Sequence, residues 1–421
     1  QFLAVLCNLV ELKLFIKSIA CLSLFISATS FGVDDDPFWR EIWLAAKGHP
    51  EFSAFRASND AASVNLAIEK ARRYPVVSGV FSRMDGESSL ANTPSAWQTG
   101  LQLKYPLFDN KRQSARDDIA KSEGRFEQLT AAERLEEIMA ELAFAYLDLW
   151  HAATALDRLT LAKHRVDDLL ERMNGESVRA EFSPVERMPI EQYQLELRSL
   201  ILDMRMLRDQ ATNQWALSGV EKPKQWQTLS DELPEQMEPA SIRRLQEEVR
   251  IEAGRQSLAK REDGLNIDLN ASHLVRQYDG TSQLSNHTIW SVSANMPLFD
   301  GGMQRTIIKR HRLRKITKEN ILRVALMKNE SERATLRQWL ENKNQLISNA
   351  QEHCSKLSKD QRRLNLLFKQ NRTELADLFI TNSSVDQCEM SLLSKQLERW
   401  HGMVRMATIN GTLMAFIEGE F

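Results

Sequence analysis

The chain is 421 residues long and carries 55 Lys and Arg against 57 Asp and Glu, a formal net charge of −2, so the totals contain neither the basic excess of a nucleic-acid binder nor an acidic tail. Only 16 Gly and 11 Pro occur, about half the usual share, which argues against a many-stranded sandwich and for long uninterrupted elements. A mean hydropathy of −0.40 with 27% charged residues excludes a bundle of apolar spanning helices, each of which needs about 20 consecutive apolar residues; if this chain crosses a membrane, strands must do it.

Residues 1–30 read as an upstream segment and a signal peptide. Lys13 and Lys17 precede the apolar run Ile19 to Ile26, and Ala28-Thr29-Ser30 offers the small side chains of a cleavage site. A single membrane anchor over residues 2–27 is the alternative, interrupted by Glu11, Lys13 and Lys17. Cys21 follows Ser18-Ile19-Ala20 and lacks the Leu expected three residues before a lipidated cysteine. With the leader removed, only Cys354 and Cys388 remain, in a compartment that permits disulfides.

A first repeat occupies residues 31–220. It holds a helix of about 53–73, strands of about 75–84 and 95–106, a long helix of about 109–173 and a helix of about 184–217. Trp97, Thr99, Leu101, Leu103 and Tyr105 fall on one face of the second strand, and Gln98, Gly100, Gln102 and Lys104 on the other; period two predicts a strand. From Asp109 to Met173 no proline occurs, and apolar residues recur in steps of three and four, as at Leu135, Ile138, Leu142, Tyr146 and Leu149.

An equatorial linker of 221–239 leads to a second repeat over 240–421: a helix of about 240–263, strands of about 264–274 and 287–297, a long helix of about 301–370 and a helix of about 374–417. Leu265, Ile267, Leu269 and Ala271 alternate with Asn266, Asp268, Asn270 and Ser272, and Trp290, Val292, Ala294 and Met296 with Ser291, Ser293 and Asn295. The long helix keeps heptad spacing at Leu336, Leu340, Ile347, Ala350, Cys354, Leu357, Leu364 and Phe368, with Lys343 and Gln361 in the skipped seam positions. A half-buried sheet in a soluble domain and a generic coiled coil satisfy the same periodicities.

The two halves are copies. Tyr105-Pro106-Leu107-Phe108-Asp109-Asn110 returns as Met296-Pro297-Leu298-Phe299-Asp300-Gly301, and Gln113 as Gln304. Proline lacks the N–H a strand ladder needs, and the Asp can cap the following helix. Each copy offers two amphipathic strands of bilayer-crossing length. Four strands cannot close a barrel, because the smallest useful closure takes about eight, and an open edge in lipid leaves backbone groups unpaired. A barrel must therefore be shared between subunits, as a dimer, trimer or larger ring.

These repeated motifs in this element order resemble the TolC family of outer-membrane channel proteins (outer membrane efflux proteins) over residues of about 40–418. The resemblance implies a mixed α/β, mostly helical fold, in which a duplicated unit of two transmembrane strands and a long coiled-coil hairpin trimerises into a 12-stranded β-barrel and a periplasmic α-helical barrel. It implies a subunit of a passive exit duct in the bacterial outer membrane with a large periplasmic part. A periplasmic adaptor and an inner-membrane pump of RND or ABC type would serve it in efflux or type I secretion. It further implies a hairpin reversal at Asn371 with Asp377 at the channel constriction, followed by Leu378, and with Ile380 at a position that is acidic in the family. The first reversal, from Asn174-Gly175 to Ser183-Pro184-Val185, departs from the family pattern.

The reversal near Asn371 brings Cys354 and Cys388 to similar heights on antiparallel helices, either bonded or as two buried thiols. The lumen-facing candidates are Gln98, Gln102, Lys104, Asn266, Asp268, Asn270, Ser291, Ser293 and Asn295, and the strand-to-helix turns are Pro106, Phe108 and Asp109, and Pro297, Phe299, Asp300 and Gly301. Lys309-Arg310-His311-Arg312-Leu313-Arg314-Lys315 is the densest basic run. Lacking interleaved aromatics, it reads as a solvated face or a contact with anionic outer-membrane lipid, with no nucleic-acid partner. Trp97 and Trp290 suit an interfacial belt or a packed core. No catalytic constellation, metal-ligand spacing or cofactor motif occurs, and His353 beside Cys354 lacks further soft ligands. The reading is a channel, not an enzyme. Its rivals are a non-transporting coiled-coil envelope scaffold, then a periplasmic adaptor, whose single hairpin conflicts with two copies, then an enzyme.

Overall fold

The computed structural model describes residues 36–84, 96–174, 184–223, 226, 227, 229, 237–278, 284–370 and 375–418; the leader over residues 12–30 and both hairpin reversals, around Gly175 and Asn371, lie outside them. A short helix α1 (Pro37–Gly48) opens on Asp36, whose carboxylate accepts the N–H of Phe38 at 2.9 Å. The ring of His49 then caps α2 (Pro50–Ala71), accepting the N–H of Glu51 at 3.3 Å. The chain continues through β1 (Val76–Met84), β2 (Ala96–Phe108), α3 (Arg112–Asn174) and α4 (Pro184–Ala216). The second half repeats that order as α5 (Ala240–Glu262), β3 (Asn266–Tyr278), β4 (Leu284–Asn295), α6 (Met303–Lys369) and α7 (Leu375–Ile409), and adds α8 (Met414–Glu418).

Freedom from proline lets α3 and α6 run for 63 and 67 residues, roughly 95 and 100 Å at 1.5 Å per residue. The four strands form one antiparallel sheet in the order β1-β2-β3-β4, set at one end of these rods. Nearest the sheet, α3 packs on α2 and on α5, and α5 on α6; beyond mid-length α3 packs on α4 and α7, and α7 on α6. The wall is thus one layer of helices. Its edges are α2 and α4 on the side of β1, and α6 on the side of β4.

Sequence explains the difference between the two long helices. Ala132, Ala143, Ala145, Ala152, Ala155 and Ala162 are all buried, so α3 admits neighbours around most of its circumference. By contrast α6 is covered along one stripe, through Leu336, Leu340, Lys343, Ile347, Ala350 and Cys354, in the 3,4 rhythm of a coiled-coil seam.

At mid-length α1, α8 and the segment after α4 wrap α3 and α7 in the principal core. Tyr146 is its hub. Phe38 packs edge-on to its ring at 5.3 Å, Trp226 does so at 5.3 Å and Trp215 lies at 5.8 Å. Its hydroxyl accepts the N–H of Gln227 at 2.6 Å and lies 3.3 Å from Glu41 Oε2. A second core, near the hairpin ends, joins Leu159, Val166 and Leu170 of α3 to Ile190, Tyr193 and Leu197 of α4 and Phe379 of α7.

Two boundaries differ from the sequence expectation. The final helix does not run over 374–417: Gly411 at φ +67° turns the chain after Ile409, and a Cβ there would lie 2.5 Å from the Pro239 nitrogen. Nor does Pro106 end its strand at 106. It stays in register opposite Asp268, and the ladder shifts between Pro106 and Phe108, so a bulge absorbs the missing N–H. In the second copy the ladder ends at Asn295, before Pro297.

Glu136 is buried beneath the first turn of α5, with the N–H of Ala240 3.3 Å from one oxygen and no partner on the other. Burial pushes its pKa up to about 8, against the opposing pull of the Ala240 N–H. A carboxyl raised in the folded state stabilises it most below its unfolded value of 4.5, and that contribution is lost as pH rises through about 8. Glu136→Gln keeps an acceptor and removes the titration. The variant is expected to exceed the parent by on the order of 4 kcal/mol at pH 8 and to converge with it below pH ~4.5, measured by thermal unfolding across that range.

Candidate functional site

Antiparallel pairing puts directly opposed residues on the same face, so the register decides which side chains share a surface. Lys104 opposes Asn270, which opposes Ser291; Gln102 opposes Ser272; Gln98 opposes Arg276; Asp268 opposes Ser293; and Asn266 opposes Asn295. All nine lumen-facing candidates from three strands therefore fall on one face of the sheet. Ser78 and Ser82 of β1 join them opposite Gln102 and Gln98. The face is hydrogen-bonded across β3 and β4 by Asn270 Nδ2 to Ser293 Oγ at 3.4 Å and along β3 by Asn266 Nδ2 to Asp268 Oδ2 at 3.0 Å.

The other face carries the rows Tyr105, Leu269 and Val292; Leu103, Ala271 and Trp290; and Phe81, Thr99 and Val275. His273 and Thr288 interrupt it but satisfy each other at 2.7 Å. Trp97 stacks on Phe81 at 5.2 Å with the Arg83 guanidinium 5.1 Å from its ring. Trp290 lies level with Leu103, six residues or about 20 Å further along the strand. Between the two levels the face carries Phe81, Thr99, Val275 and Leu101 with the His273–Thr288 pair, and the row Tyr105, Leu269 and Val292 continues it beyond Trp290.

The strand-to-helix turns have the same backbone in both copies. Asn110 and Lys111 take φ of 51° and 61°, and the equivalent Gly301 and Gly302 take 65° and 85°. Each Asp then caps its helix: Asp109 accepts the N–H of Gln113, and Asp300 that of Gln304, both at 2.6 Å. Each Gln in turn donates to a carbonyl near the end of the preceding helix, Gln113 to Glu69 at 2.7 Å and Gln304 to Ala259. Arg112 adds bonds to the carbonyls of Arg261, Glu262 and Gly264, where a cation suits a helix C-terminus. The motif is a joint that fixes the rods to the sheet. Pro297 and Phe299 have no counterpart of the Pro106 ladder contact, and Phe299 is almost fully exposed.

Below the joint, Arg310, Arg312 and Arg314 are exposed while His311 turns inward to Glu252 at 3.0 Å. Burial pushes the Glu252 carboxyl up, but His311 and Arg255 outweigh it and hold it below the ordinary value. Arg255 also reaches Glu123 at 2.8 Å, so one network ties α3, α5 and α6 together.

In the α6–α7 hairpin the polar seam residues are paired across the helices. Lys343 meets Glu398, and Gln361 Nε2 donates to Asn382 Oδ1 at 2.9 Å. Between them Cys354 and Cys388 form a disulfide with Cα atoms 5.6 Å apart, a separation within the usual range. Asp377 stands in the first turn of α7 and is exposed, followed by buried Leu378 and exposed Ile380. Near it α3 is clipped to α7 by Arg165 and Asp386 at 2.5 Å, with the Tyr193 hydroxyl 3.4 Å from the same carboxylate. Sequence reasoning missed this clip, because its three residues lie on three different helices. Among the described residues no group of three or more His, Cys, Asp or Glu side chains is arranged to hold a metal, and no helix is long and apolar enough to cross a membrane.

No family model matches this chain, and no curated protein does. Solved structures match in fold. The open state of the Neisseria gonorrhoeae MtrE outer membrane channel aligns at 16% identity and a TM-score of 0.75, covering 89% of each chain. The Campylobacter jejuni CmeC outer membrane channel aligns at 12% identity and 0.75, covering 92% of this chain and 89% of that one. The outer membrane protein VceC from Vibrio cholerae aligns at 13% identity and 0.74, covering 89% and 96%. Over the aligned span this chain has their fold, a duplicated, mostly helical architecture with a small antiparallel sheet.

The disulfide closes a loop with a sequence separation of 34. Cys354→Ser with Cys388→Ser is expected to lower unfolding stability by about 3 kcal/mol, and non-reducing peptide mass spectrometry of the parent should recover the two cysteines linked. Asp300→Ala should cost about 1 kcal/mol through loss of the cap, read in the same denaturation assay.

Proposed function

We propose that the chain is one subunit of a homotrimeric exit duct in the bacterial outer membrane, exporting small molecules or polypeptides without chemistry of its own. The observation that carries this is the open sheet: nine polar candidates share one face, the other holds Trp97, Trp290 and most of the apolar strand residues, and among the described residues β1 and β4 each end the sheet with an unpaired edge. Exposed backbone groups cannot remain unpaired in hydrocarbon, so the edge of one copy joins that of the next.

The helical edges support the same assembly. On α2 the exposed Ala57, Ala61, Val64 and Ile68 form a seam, and on α6 the exposed Leu313, Thr317, Asn320, Val324 and Met327 form another. Asp60 and Arg314 are both exposed, and each lies equally far in residues from the sheet end of its helix. Two copies would give eight strands, and an eight-stranded barrel is filled by its own side chains. Three give twelve, which leaves a polar lumen for Gln98, Gln102, Lys104, Asn266, Asp268, Asn270, Ser291, Ser293 and Asn295. The helices continue that lumen as a periplasmic tunnel, and Asp377 of three copies forms an acidic ring at its far end. Energy comes from a periplasmic adaptor and an inner-membrane pump of RND or ABC type. The MtrE and CmeC structures, both named as outer membrane channels, lend the reading their fold.

Detergent-extracted protein should migrate as a heat-modifiable trimer and conduct ions in planar bilayers. Correctly assembled oligomers whose conductance stays at baseline would replace the duct with a scaffold. Asp377→Ala should reduce cation-over-anion selectivity several-fold; unchanged reversal potentials would remove Asp377 from the constriction.

A further inference from the structure

Midway along the wall, α3, α6 and α7 enclose a groove of about 890 Å³, within the range of roughly 300–1,000 Å³ typical of small-molecule sites. It opens on the side of α3 and α7 turned away from the aromatic core. Ala140 and Phe144 line it while Met139, Leu142 and Tyr146 enter the core, and Gly402 and Arg405 line it while Met403, Val404 and Met406 enter the core. The groove is complete within one chain, and no edge-to-edge contact is needed to form it.

Its floor is aromatic and its mouth is acidic. The Trp339 indole lies against Gly402, where a Cβ would meet the ring at 2.3 Å; glycine is what lets the ring lie on the α7 backbone. The ring already accepts a cation, since the Lys343 ammonium stands 5.2 Å from its centroid. Four carboxylates line the groove against two permanent cations, Lys343 and Arg405. Lys343 is neutralised by Glu398. Glu137 and Glu141 on α3 and Glu332 on α6 are exposed, and the cations that pair with them, Arg134 and Lys328, do not line the groove.

We infer that this groove is a subsite for amphipathic organic cations, which lay a flat apolar body on Trp339 and turn their charge toward Glu137 and Glu141. The inference rests on the duct reading for its setting: the groove lies on the face of α3 and α7 opposite the α1 and α8 layer, and we assign that face to the lumen. A solute moving along the wall is then held weakly enough to leave again, as conduction requires.

The test uses the assembled protein in lipid nanodiscs, titrated with rhodamine 6G and followed by fluorescence anisotropy, with fluorescein as the anionic comparison and empty nanodiscs as background. Saturable binding of the cation is expected, weakened about tenfold by Trp339→Leu. Glu137→Gln with Glu141→Gln changes only exposed carboxylates and should weaken binding about three- to tenfold. Binding no greater than to empty nanodiscs, equal binding of fluorescein, or an unchanged affinity in the double Gln variant would overturn the subsite. Bilayer conductance of the same sample separates the two readings. Conducting trimers that bind nothing lose the subsite and keep the duct, and binding by oligomers that never conduct does the reverse.

Discussion

Every level of this molecule answers to one constraint, the pairing of backbone N–H and C=O groups at the margin of a sheet. A strand held in water can leave its outer edge solvated, whereas a strand in hydrocarbon cannot. The four strands satisfy each other through three antiparallel ladders and, among the described residues, leave β1 and β4 half-paired. The helices inherit the same incompleteness, because α2 and α6 expose apolar seams on the corresponding sides. Sheet and wall therefore end at the same two boundaries, and closing one closes the other.

Duplication solves a joining problem as well as a counting one. A flat ladder must hand over to a rod about 100 Å long without a flexible hinge, and the same turn does it twice. Asp caps the rod, Gln ties it to the preceding helix, and two residues in the left-handed region make the corner. In the second copy glycines take that conformation without steric cost, whereas Lys111 at φ 61° has a Cβ in a region costing about 1–2 kcal/mol. The bonds that Arg112 and Asn110 make to the end of α5 hold the first corner in place.

Much of this was legible in the residues. Period-two alternation marked the strands, and the register shows why it worked: a row such as Lys104, Asn270 and Ser291 must be uniformly polar when one face is wet. The repeated Pro-Leu-Phe-Asp marked the joints, and the skipped seam positions Lys343 and Gln361 found partners at matching height. Other features depend on contacts between distant segments, which periodicity does not encode. The Tyr146 hub needs Phe38 from the start of the first repeat and Gln227 from the linker that follows it. Pro106 was expected to stop a strand, yet Asp268 stays opposite it because a bulge can absorb one missing donor. The break at Gly411 has a local signal in the turn dipeptide Asn410-Gly411, which the apolar residues resuming at Leu413, Met414 and Phe416 obscure. The groove beside Trp339 depends on three helices and on Gly402, a residue that in isolation reads only as a weak point in a helix.

The covalent link between Cys354 and Cys388, set between two polar rungs, has a mechanical meaning. Two slender rods that can slip past one another bend independently, but rods pinned against sliding bend as a single thicker beam. A push delivered at the free end of α6 and α7 is then carried up to the mid-length belt as leverage instead of being lost as shear between them.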